Sequence, residues 1–129
     1  MQTDAPVLMN SATFRATREF LGLSDSWLAD HLGVSPRTVR KWGTGESPVP
    51  VSVSEELTVL ADRTSEVVER YTRQFADNEE RWPMTIPRNA DQVHQWHHDP
   101  GMPVDWWRNL AARVCERVPG LWLDWPEAR

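Results

Sequence analysis

Residues 21–45 read LGLSDSWLADHLGVSPRTVRKWGTG, and this stretch decides how the first half of the chain folds. Ser24 offers a hydroxyl to the exposed N–H groups that open a helix, and Leu28, Ala29 and Leu32 follow at a spacing that places them on one face. Gly33 supplies the left-handed residue that ends a helix, so a turn is expected at Gly33-Val34-Ser35. Ser35-Pro36 starts the next helix: a capping hydroxyl precedes a proline at the first helical position, where its missing N–H has no intrahelical partner to lose. Val39 and Trp42 are the inward residues, and Gly43-Thr44-Gly45 stops the helix. Two short helices joined in this way hold the second one out from the surface, where its diameter suits the major groove of DNA. The residues of that helix not spent on the core are Pro36, Arg37, Thr38, Arg40 and Lys41, a set with three cations and no acid. Such a face is suited to phosphates and guanine edges.

Upstream, Asn10 or Ser11 caps a first helix. Ala12, Phe14, Thr17, Phe20 and Leu21, with Leu8 before them, alternate there with Arg15, Arg18 and Glu19, and Gly22 closes the helix. Downstream, Ser47-Pro48-Val49-Pro50 forms a stiff connector. From about Ser52 or Ser54 to Phe75 runs a long amphipathic helix of about six turns, with Leu57, Leu60, Ala61, Thr64, Val67, Val68, Tyr71 and Phe75 spaced by three and four. Its polar face predicts opposite-charge pairs, including Glu66 with Arg70 and Glu69 with Arg73.

These residues resemble the Cro/repressor-like, xenobiotic-response-element type of helix-turn-helix transcriptional regulator. The matching positions are Leu21 to Ser24, Leu28-Ala29, Leu32 to Ser35, Val39, Trp42 and Gly45. With the first helix and the proline-rich exit into a fourth, the resemblance covers roughly residues 10–75. It implies that Arg37 and Lys41 contact base edges and that Pro36 touches a thymine methyl. Thr38, Arg40, the Ser35 hydroxyl and the helix-start N–H groups then position the protein on phosphates. Two residues depart from the family pattern. Asp25 stands where glutamine often grips a phosphate, which passes that grip to Ser24 or Ser26. Trp27 stands where a polar residue is usual, and a ring there implies contact with the second part of the chain or with a partner.

Beyond Asp77-Asn78-Glu79-Glu80 the composition shifts, and six of the eight tryptophans lie at or after Trp82. Trp82-Pro83-Met84-Thr85-Ile86-Pro87 reads as a short extended segment, Asp91 to His97 as a short helix and Asp99-Pro100-Gly101 as a turn. Val104 to Val118 is expected to be a helix with Trp106, Trp107, Leu110, Ala111, Val114, Cys115 and Val118 on its apolar stripe, and Leu121 to Trp125 a last short strand. The two strands can pair within a subunit or between subunits. The expected architecture is therefore mainly α. Residues 8–76 form a four-helix helix-turn-helix domain with a long fourth helix, and residues 77–129 a tryptophan-rich, small α+β dimerisation or interaction region. The tryptophans either fill that region's core or, with the Leu57 to Phe75 stripe, form a self-complementary surface.

Net charge is −5, but residues 1–50 hold five basic and five acidic side chains, so the acidic excess lies in the second part. No stretch reads as a signal peptide or a membrane span, and a soluble, cytoplasmic protein is expected. The lone Cys115 reads as a small buried apolar residue, with no second thiol for a disulfide or zinc site. His94, His97 and His98 would share a helical face, but no carboxylate or cysteine completes a convincing ligand set, so no metal and no cofactor are expected. There is no nucleophile with a base, no phosphate-binding glycine loop and no paired carboxylate, so no enzyme is expected. One recognition helix reads few base pairs. The expected function is accordingly a homodimeric repressor on a palindromic operator in double-stranded DNA. The alternative is an antitoxin-like protein that autoregulates through its first half and binds a protein partner through its C-terminal half.

Overall fold

The computed structural model describes residues 8–77, 82–94 and 101–126. Among them are six helices: α1 (Ser11–Phe20), α2 (Asp25–Leu32), α3 (Pro36–Thr44), α4 (Val51–Ala76), α5 (Ala90–His94) and α6 (Val104–Arg117). Two short strands, β1 (Met84–Thr85) and β2 (Leu123–Asp124), make a parallel pair. The chain divides into two compact units at Asp62 and Arg63, inside α4, whereas the sequence reading ends the first domain after that helix. The difference arises because α4 lends its early apolar residues to one core and its later ones to the other. No helix among the described residues is long and apolar enough to cross a membrane.

In the first unit each helix is defined by its own ends. The Asn10 carboxamide accepts from the Thr13 N–H at 2.7 Å, and the Ser24 hydroxyl accepts from the Trp27 N–H at 3.0 Å. Gly33 and Gly45 end α2 and α3 with φ of 72° and 88°, a conformation that costs glycine nothing and burdens other residues. The core collects Phe14, Leu21, Leu23, Leu28, Ala29, Val39, Trp42, Val49, Val53 and Leu57, with the rings of Phe14 and Trp42 meeting edge to face at 5.9 Å. Phe20, assigned inward by periodicity, is 55% exposed, because Leu21 and Leu23 supply the contact at that end. The buried Ser54 hydroxyl accepts from the Met9 N–H at 3.0 Å, which ties the segment before α1 to α4.

The second unit is held by long-range packing. Trp106, Trp107, Leu110, Ala111 and Val114 of α6 are buried, as are Thr64, Val67 and Val68 of α4. The Trp106 indole donates to the Thr64 hydroxyl at 2.9 Å within this core. Met84 pairs with Leu123 and Thr85 with Asp124, so the two extended segments pair with each other inside one chain. Parallel pairing is possible because α5 and α6 form the crossover between them. Glu69 forms an ion pair with Arg117 of α6, where the sequence reading pairs it with Arg73 along α4. Cys115 is half-buried where full burial is expected, and desolvation raises its thiol pKa. Trp82 and Trp122 remain 56% and 47% exposed, so the tryptophans divide between core and surface.

Candidate nucleic-acid interface

α3 is shaped by the residues that bound it. The Ser35 hydroxyl accepts from the Thr38 N–H at 3.2 Å and lies 3.0 Å from the Thr38 hydroxyl, Pro36 occupies the first turn, and the Gly45 N–H donates back to the Lys41 carbonyl at 3.1 Å. Val39 and Trp42 anchor the inner face; Arg37 and Arg40 are exposed on the outer face, and Lys41 is half-buried. Among the described residues no carboxylate forms an ion pair with any of these three cations. They line an open hollow of about 350 Å³ together with Thr44 and Glu46, so one carboxylate borders an otherwise basic surface.

The structure brings together the other residues expected from the sequence in unequal ways. Thr38 is half-buried, and its hydroxyl is engaged by Ser35. Ser24 and Ser26 are exposed at the start of α2. The Ser24 oxygen serves as the helix cap, which leaves its O–H to donate outward. Asp25 lies with one carboxylate oxygen 3.4 Å from Arg18 Nε, so its charge is offset within the fold. Trp27 is half-buried and stacks on His31 at 5.1 Å, and His31 Nε2 in turn lies 2.8 Å from a carboxylate oxygen of Glu56. Its position therefore has a local explanation one turn along α2.

Arg15 and Arg18 were missed in the sequence reading as members of this surface. They line a second hollow, of about 180 Å³, with Asp25, Arg40, Gly43 and Thr44. Their i, i+3 spacing on α1 was visible, but only the packing of α1 on α3 brings them beside Arg40. Among the described residues no group of three or more His, Cys, Asp or Glu is placed to hold a metal. His97 and His98 lie outside the described residues, as does the side chain of His94.

No protein-family model matches the chain. Over 72 residues it is 35% identical to the Aca2 repressor of Pectobacterium phage ZF40, an alignment covering 55% of this chain and 62% of that relative. The chain thus spans less than two thirds of the length of the repressor it matches.

Proposed function

We propose that the protein is a sequence-specific DNA-binding regulator that acts as a homodimeric repressor, occupying a palindromic operator and excluding polymerase. The observation that carries this reading is the outer face of α3, where Arg37, Arg40 and Lys41 project without an ion-pair partner among the described residues, from a helix fixed at both ends. The similarity to a protein named a repressor supports the same reading. Arg37 and Lys41 contact base edges, with guanine O6 and N7 their best acceptors, and Pro36 meets a thymine methyl. Arg40, Thr38 and Ser35 hold phosphates beside the groove, and the Ser24 and Ser26 hydroxyls hold another at the start of α2. Occupancy alone blocks transcription, so the protein works in the cytoplasm as a binder and not as an enzyme.

The dimer follows from the arithmetic of recognition: one short helix reads too few base pairs, and two helices about 34 Å apart read successive turns of one duplex face. The exposed Trp82 and Trp122, which border a hollow with Phe75, Val118 and Leu121, supply the apolar surface for self-association. Selection from a pool of random duplexes tests the reading. The wild-type protein is expected to enrich a palindrome that Arg37→Ala plus Lys41→Ala no longer enriches. Equal, unselective binding by both proteins would overturn it.

A further inference from the structure

We propose that Arg15 of α1 and Arg40 of α3 form a phosphate clamp on the flank of α3, so that α1 contributes a DNA backbone contact of its own. The proposal rests on α3 entering DNA as described under the proposed function.

Three guanidinium groups border the 180 Å³ hollow, and they are not equivalent. The Arg18 side chain is only 12% exposed. Its Nη1 donates to the Leu23 carbonyl at 2.7 Å and its Nε sits 3.4 Å from Asp25, so this cation is committed to holding the start of α2. With the Asp25 charge matched in that way, the remaining charge of the hollow belongs to Arg15 and Arg40. Arg15 is 57% exposed at its side chain and donates from Nε to Glu19 at 3.1 Å. That bond uses the inner nitrogen and leaves the fork of Nη1 and Nη2 for a second anion. An exposed i, i+4 pair of this kind is weak and yields readily to a phosphate.

Gly43 shows how closely α1 and α3 approach: a Cβ there would meet the Cβ and Cδ of Arg15 at 3.9 Å, an ordinary van der Waals contact, so the stem of Arg15 lies directly over α3 at the wall of the hollow. Arg40 and Thr44 border this hollow and also the larger one containing Arg37, Lys41 and Glu46. The two hollows therefore form one band around α3. A duplex with α3 in its major groove has a phosphate strand on each side of the helix, so the outer part of the band meets base edges while the α1 side meets backbone.

The test measures binding of the full chain to its selected duplex across a salt series. Arg15→Gln is expected to weaken binding by about three- to tenfold at moderate salt and to reduce the slope of log affinity against log salt by about 0.9, the loss of one phosphate contact. The preferred sequence should not change, and Arg15→Lys should retain most of the slope. Wild-type affinity and slope in Arg15→Gln would overturn the clamp while leaving the regulator reading intact. An altered sequence preference would also overturn it, because it would make Arg15 a base reader. A wild-type chain that selects no duplex would remove both.

Discussion

α3 and α6 are both amphipathic helices with tryptophan on the buried face, yet they are held by opposite means. α3 carries its own instructions: a serine cap, a proline in the first turn and a left-handed glycine at the end. α6 begins after Pro103 with no side-chain capping bond and ends in extended backbone at Val118. It is fixed by five buried residues and by distant partners, Trp106 with Thr64, Arg113 with Ser65 and Arg117 with Glu69. Their charges differ in the same sense. Arg108 of α6 donates to the Arg88 carbonyl at 2.7 Å and joins Arg88 against the Trp125 ring, so this cation is spent within its own unit. Among the described residues the cations of α3 form no ion pair and no cation–π contact, which is why the ligand-binding reading belongs to α3.

The largest expected effects test whether each unit depends on its own aromatic anchor. Phe14→Ala and Trp107→Ala, both removing fully buried rings, should each cost about 3–5 kcal/mol in chemical denaturation. Costs below about 1 kcal/mol would show that neither ring anchors its core. Next in size is the buried serine that ties Met9 to α4. Ser54→Ala strands a buried N–H and should cost about 1–3 kcal/mol by the same measurement, whereas a neutral result would mean that the N–H finds another acceptor. The claim that α3 is locally encoded is tested by Ser35→Ala, which should cost about 1 kcal/mol and lower helix content near Thr38. The smallest stability change, within about 0.5 kcal/mol, is expected for Trp82→Ser plus Trp122→Ser, because both rings are exposed. Under the proposed function the wild type should sediment as a dimer and this variant as a monomer; an unchanged dimer mass would move the dimer surface elsewhere.

The same contrast separates what neighbouring residues decide from what packing decides. Ser24, Ser35, Gly33 and Gly45 act where the sequence places them, and Asn10 takes the cap that the sequence leaves open between it and Ser11, because caps and left-handed turns are decided within a few residues. The stripe of α6 was legible from its period, but the pairing of Met84 with Leu123 was not, because two-residue strands are stabilised by whatever packs around them. The division of α4 between two cores and the exposure of Phe20 and Trp122 are likewise products of packing. At the candidate site, Arg37, Arg40 and Lys41 were read from their positions on one helix. Arg15 was not, since its place beside Arg40 depends on two helices meeting. The pairing of Asp25 with Arg18 was not legible either, because the two stand seven residues apart on different helices and meet only through packing.

The most direct test of base reading by α3 is a matrix of affinities at fixed salt. Wild type and Arg37→Ala are each measured on the selected duplex and on duplexes with one base pair changed at a time. If Arg37 reads a base, the variant loses about 1–3 kcal/mol of discrimination at one G·C pair in each half-site and keeps it elsewhere. If Arg37→Ala weakens binding to every duplex by the same factor, the arginine contributes charge alone, and the central claim that α3 reads sequence through it is wrong.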